Sequence, residues 1–352
     1  MGRRLLAYVV QAFRPAASGR TRVLHYTIVA MVAAGALLSA QKKTWTQPRT
    51  SDGQPDFTGY WTNATYTPLE RDRELGTKEF FTPAEAEAYA KKREQIENSQ
   101  SKEDVHYDNV IWQSEKYAKV VTRSRTSIVY DPPDGRIPDL TPAARALAAA
   151  RAADALAHGP SESASTRSMG ERCISWGNEG PPMLGSTYQA NLQIVQTPKA
   201  FVIRHEIMHG VRIIPVDGTP HASKNVRMLL GDSRGRWEGD TLVVDTTNYT
   251  DRTPFRGPPA TTRQDIFTGR ELHVTERFTR QDADLIVYRF TVDDPGTFVR
   301  PWSGEMVMRK MEGPLFEYAC HEGNYGLANI LSAARVEERM SERSVVGGSS
   351  AP

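Results

Sequence analysis

Residues 205–209 read His205-Glu206-Ile207-Met208-His209, the pattern H-E-x-x-H, and no other short string in this chain names a chemistry so directly. On a helix, positions i and i+4 share one face. Both imidazoles could then bind one zinc ion while the glutamate activates a metal-bound water, as in zinc metalloproteases. The surrounding residues argue for a strand instead. Ile203, Ile207, Val211, Ile213 and Ile214 are β-branched, Gly210 follows the second histidine, and Pro215 ends the run. At period two, Phe201, Ile203, His205, Ile207, His209, Val211 and Ile213 form one mostly apolar face, and Arg204, Glu206 and Arg212 lie on the other. On an extended strand the two histidines stand about 13 Å apart, too far for one zinc with bonds of about 2.1 Å. His221 lies twelve residues beyond His209, behind Pro215 and Asp217-Gly218, and does not complete the set. The strand reading therefore sends His205 and His209 into an interior and Glu206 outward.

Other residue types that could do chemistry gather near the two cysteines. His321-Glu322 follows Cys320 directly, and an imidazole oriented by a carboxylate is suited to general acid–base work. His209, His321 and Glu322 are thus the candidate catalytic residues, and His205, Arg212, His221 and Trp176 the candidate ligand contacts. The paired carboxylates of Asp293-Asp294 read as a turn, with calcium as a less favoured use because no EF-hand spacing is present. No residue set points to a cofactor or metal. There is no G-x-S-x-G elbow, no Walker motif and no glycine-rich dinucleotide turn.

The elements that must position these groups are mostly strands. Residues 56–61 alternate as an opening strand, and a short strand is expected at 126–130. Thr82-Pro83-Ala84-Glu85 starts a helix to about residue 97, and Thr141-Pro142 starts a second over 142–157. Residues 161–190 form a Gly/Pro/Ser-rich connector. From residue 191 the period is two, with strands expected at 192–195, 201–214, 241–246, 272–279, 285–292, 304–311 and 315–319. Asp232-Ser233-Arg234-Gly235 reads as a turn, and a closing helix is expected at 328–339. The fold class is mainly β with added helices (α+β): an antiparallel β-barrel or β-sandwich, lipocalin-like, with two N-terminal helices and a C-terminal one. The organisation expected is 1–40 signal peptide, 41–160 mixed region, 161–190 connector, 191–340 β domain and 341–352 disordered tail.

Charge and cysteine usage bound the setting. Five of the chain's 44 basic residues and none of its 42 acids fall in residues 1–40. The remaining 39 basic and 42 acidic residues leave the rest near neutrality, with no electrostatic footprint for nucleic acid. The arginines precede an apolar run at 28–38 and a Leu38-Ser39-Ala40 step, the layout of an export signal. Export puts the protein in a periplasmic or extracellular setting, without a stable membrane span after cleavage. There the only two cysteines, Cys173 and Cys320, are expected to bridge.

Residues 131–138 (DPPDGRIP), 237–248 (WEGDTLVVDTTN) and 318–325 (YACHEGNY) together resemble a family of exported bacterial proteins. The resemblance spans about residues 54–340 and implies export and a shared fold; it brings no activity or catalytic residue. Function is therefore expected at a polar-lined pocket: an enzyme using His/carboxylate acid–base chemistry on a small organic or sugar-like molecule. The alternatives are a lipocalin-like protein that binds such a molecule without turnover and, disfavoured by the strand geometry, the zinc protease.

Overall fold

The computed structural model describes residues 45–99, 121–159, 161–176, 179–185, 190–251 and 268–347. The expected signal peptide and the end of the expected tail lie outside these. The chain divides into two compact units, residues 1–46 and 47–352, and every element of the sheet belongs to the second.

Ten strands form one sheet: β1 (Gly59–Thr62), β2 (Val129–Asp131), β3 (Asn191–Thr197), β4 (Ala200–His205), β5 (Val211–Pro215), β6 (Asp232–Glu238), β7 (Thr241–Thr247), β8 (His273–Arg280), β9 (Leu285–Asp293) and β10 (Trp302–Met311). Their order is β5-β4-β3-β1-β10-β9-β8-β7-β6, with β2 paired to β10, and every pairing is antiparallel. Two meanders, β3–β5 and β6–β10, are zipped together by β1, where Tyr60 faces Gln193 on one side and Met311 on the other. The N-terminal region therefore contributes strands to the same sheet as the C-terminal half.

The sheet curls until its edge strands β5 and β6 lie side by side, yet no backbone ladder joins them and the sheet is not closed. What joins them is side-chain packing. A Cβ on Gly235 of β6 would sit 2.8 Å from Val216 and 3.2 Å from Ile214, so glycine permits this approach. The inner face is apolar and close-packed. An aromatic row runs through it from Phe57 to Phe201 (5.9 Å between ring centres), Phe278 (5.8 Å), Tyr288 (5.0 Å), Phe290 (5.6 Å) and Trp302 (5.6 Å). Val274, Glu276 and Phe278 share the buried face of β8, as their spacing predicts, and Leu272 just before the strand is buried with them.

Among the described residues there are three α-helices: α1 (Pro83–Asn98), α2 (Pro142–His158) and α3 (Gly326–Gly347). The start of α1 is a capping box. Glu85 N donates to Thr82 Oγ1 (3.3 Å), and Thr82 N donates back to Glu85 Oε2 (2.8 Å). α3 runs longer than the expected 328–339.

Three expectations are corrected. Residues 232–235, expected as a turn, begin strand β6, because Asp232 to Glu238 pair in full with β7. Residues 315–319, expected as a strand, join no ladder and form an extended strap. Most consequentially, the expected 201–214 strand is two strands.

Candidate functional site

Strands β4 and β5 are joined by a four-residue turn, Glu206 to His209, which occupies most of the H-E-x-x-H string. His205 N donates to Gly210 O across its base (2.7 Å), and Met208 and His209 adopt φ of 54° and 51°. A turn of even length reverses which residues face inward. Ile203 pairs with Arg212 and Phe201 with Ile214, so Arg212 and Ile214 point into the core. Val211 and Ile213, expected inside, are 52% and 66% exposed.

His205 keeps its expected inward position and is buried. His209, expected inside, is exposed, whereas Arg212 and Glu206, expected outside, are buried. The helix that the zinc reading requires is absent: the two histidines leave opposite ends of a hairpin turn. Gly210 and the length of the run, more than twice a usual strand, were the sequence signals of the break.

The reversal builds a buried polar cluster, a chamber only in the sense of its hydrogen-bonded interior, in an otherwise apolar core. Arg212 Nη1 and Nη2 donate to the two oxygens of Glu276 (3.0 and 2.6 Å), a bidentate pair with Glu276 fully buried. Arg212 Nη2 also reaches Ser233 Oγ (3.3 Å), which shares a hydrogen bond with Thr246 Oγ1 (2.9 Å). Tyr288 Oη donates to Glu276 Oε1 (2.8 Å) and accepts from Met183 N (2.9 Å). Burial opposes the charge on Arg212, but Glu276 more than offsets this and holds its pKa above the ordinary value. Burial, reinforced by Glu276, pushes the Tyr288 and Tyr249 phenols well above theirs.

His205 lies beside this network. Burial first, and then the charge of Arg212, lowers its pKa to about 3, so the ring is neutral at neutral pH. Among the described residues its Nε2 is buried without a hydrogen-bond partner, and so is Nε of Arg212. Glu179, also buried, takes Ser175 Oγ (2.8 Å) and Trp176 N (2.5 Å) on Oε2. Its Oε1 lies against Gly210, where any Cβ would collide with it. Trp176 is thus half-buried at the margin of the chamber.

The remaining residues of the turn have a mechanical role. Glu206 Oε2 accepts from Phe316 N (3.1 Å) and His209 Nε2 from Tyr318 N (3.2 Å), so both hold the main chain of the strap at residues 312–320. The strap ends in the Cys173–Cys320 disulfide, as expected from the sequence. His321 and Glu322 lie exposed just beyond it, and among the described residues neither side chain has a hydrogen-bond partner. The imidazole of His209 bonds to Tyr318 rather than to His321, so no hydrogen bond links the three candidate catalytic side chains. With the disulfide as its covalent anchor, beside the Glu206 and His209 acceptors, the strap should become protease-sensitive on reduction. Limited chymotrypsinolysis is expected to cut after Leu315, Phe316 or Tyr318 at least about tenfold faster with reductant, while the strands stay protected. Equal cleavage with and without reductant would count against this role.

His221 sits on the opposite face of the sheet, in a chain that the sequence did not reveal. Its Nδ1 meets Asp232 Oδ2 (3.1 Å) and its Nε2 meets Asp245 Oδ2 (3.0 Å); Asp245 Oδ1 meets His273 Nε2 (2.5 Å). The hydrogen bond from His273 is the largest influence lowering the Asp245 pKa, and that from Asp245 the largest raising His273. At Asp232, burial favours the neutral acid, but Ala222 N–H, His221 and Arg234 outweigh it and lower the pKa. The cluster pins the connection between β5 and β6 to the outer surface. Its strand members were legible in principle, since Asp245 alternates with the inward Val244 and Thr246, but the arrival of His221 from a loop was not.

Among the described residues, no group of three or more His, Cys, Asp or Glu side chains is placed to hold a metal ion, and no helix is long and apolar enough to cross a membrane. Comparison with protein-family models, with curated proteins and with solved structures found no match.

Proposed function

We propose that the protein is exported and binds a small, oxygen-rich organic or sugar-like molecule inside the curled sheet, in a lipocalin-like, barrel-shaped container. One observation carries this reading: His205 Nε2 and Arg212 Nε, two buried atoms on neighbouring inward residues, have no hydrogen-bond partner among the described residues. Buried polar atoms in folded proteins nearly always have a partner. A neutral imidazole nitrogen and a guanidinium N–H are together suited to a hydroxyl or carboxylate oxygen. The disulfide supports the exported setting, because such bonds persist in oxidising compartments.

A second reading, turnover by His/carboxylate acid–base chemistry, is favoured by the buried Glu179 carboxylate that reaches the His205–Gly210 base of the turn. The low pKa of His205 suits it to accept a hydrogen bond better than to act as a base near pH 7. In this reading Glu179 takes the proton.

A panel of monosaccharides, polyols and hydroxy acids at 10 mM, read by thermal shift, tests both. At least one compound is expected to stabilise the wild type, by about 2.7 kcal/mol if present at a hundredfold over its Kd, and to stabilise His205→Phe much less. Equal stabilisation of the two proteins would remove the chamber from the site. Turnover of a stabilising compound by wild type, lost in Glu179→Gln, would decide for the enzyme.

A further inference from the structure

Away from the chamber, the turn between β9 and β10 carries a carboxylate whose surroundings are unbalanced. Asp294 is 1% exposed. Its Oδ2 accepts from Gly269 N (2.7 Å), while its Oδ1 is buried with no partner among the described residues. The turn itself is firmly held. Asp294 O accepts from Thr297 N (2.9 Å) and Phe298 N (2.8 Å), and Thr141 Oγ1 donates to Gly296 O (2.9 Å).

Two glycines border the orphaned oxygen. A Cβ built on Gly269 would meet nothing nearer than Asp294 Oδ1 at 3.2 Å. One built on Gly296 would meet only Asp294 Oδ1 at 3.5 Å and Glu271 Oε2 at 3.8 Å. The two carboxylates therefore face a common point that glycine leaves free of side chain. Among the described residues neither is in an ion pair: the nearby Arg270 pairs with Asp251 instead (3.4 Å). A buried carboxylate without a countercharge is costly.

We propose that Asp294 and Glu271 bind a divalent cation of the calcium type, which ties the start of β8 to the β9–β10 turn. The donors are hard oxygens, as calcium prefers, and two negative charges match one dication. Two side-chain ligands leave the rest of the shell to main-chain carbonyls and water. So low a ligand charge places the site in the weak class, with a Kd of about 0.1–1 mM, as in extracellular calcium modules. Magnesium, which requires a tighter octahedron, is expected to bind less well.

The experiment is thermal unfolding of the full chain in 0–10 mM CaCl2 or MgCl2, with NaCl matching ionic strength, and calorimetric titration of calcium in parallel. The wild type is expected to show a saturable calcium-dependent rise in Tm. Glu271→Gln, a surface change that leaves the fold intact, should weaken the calcium midpoint at least about tenfold. Asp294→Asn should abolish the response if it folds. No calcium response in wild type beyond the matched-salt control, or the same midpoint in wild type and Glu271→Gln, would overturn the proposal. Neither result bears on ligand binding at His205.

Discussion

Replacing Arg212 by methionine is expected to destabilise the fold by about 3–5 kcal/mol, because it strands a fully buried Glu276 carboxylate without its partner. The loss is not the net worth of the ion pair. Desolvating both charges offsets much of their attraction, so removing both together costs far less than removing one. The double variant Arg212→Met/Glu276→Gln should therefore recover at least about 2 kcal/mol of the single variant's deficit. Glutamine is the informative partner because its amide oxygen can still accept from Tyr288 Oη, which leucine would leave unsatisfied. Urea unfolding at pH 7 measures both. A single variant within about 1 kcal/mol of wild type would mean that water reaches Glu276 and that the pair is not closed off from solvent.

The second large effect is on acid stability. His205 titrates at about 3 in the folded chain and near 6.5 when unfolded. Between those values the unfolded state binds a proton that the folded state refuses, so stability falls as the pH drops through the window. The slope is about 1.4 kcal/mol per pH unit and the full loss about 5 kcal/mol. The range from pH 6.5 to 5 is diagnostic, because carboxylates contribute mainly below it. In His205→Phe, which keeps a ring of similar size and removes the titrating group, this part of the acid limb should flatten. The urea midpoint at half-unit pH steps for both proteins gives the comparison. An unchanged slope would place the imidazole in contact with water.

How far the sequence foretold this molecule varied with the range of the interactions. Thr82, Pro83 and Glu85 act within one helical turn, and they specify the start of α1 by themselves. Strands β7 to β10 are legible because alternation is also local: each inward residue of β8 lies two positions from the next. The cysteine pair was legible from chemistry alone, since two cysteines in an oxidising setting have only each other.

What the sequence hid depends on contacts between distant residues. Within 201–214, β-branched residues favour extended backbone on both sides of the turn, so period-two alternation runs smoothly across the break. Beyond Gly210 and the length of the run, only positive φ at Met208 and His209 marks it, and neither residue demands that conformation. The error of one hairpin then inverted the assignment of every later residue in the run, Arg212 included. The Arg212–Glu276 pair joins residues 64 positions apart, and the His221 chain joins a loop to three strands. The roles of Glu206 and His209 as acceptors for strap amides are equally invisible, because a strap without a ladder has no periodicity.

The central claim is that His205, and not the exposed His321, meets the ligand. The most direct measurement is 15N NMR of histidine-labelled protein, with imidazole resonances assigned by His205→Phe and His321→Ala, while a compound that raises Tm in the panel is titrated in. His205 is expected to be a neutral ring between pH 7 and 5, its Nε2 resonance to move saturably with the compound, and His321 to stay still. Movement of His321 with His205 unchanged would contradict it and return the site to the exposed turn beyond the disulfide.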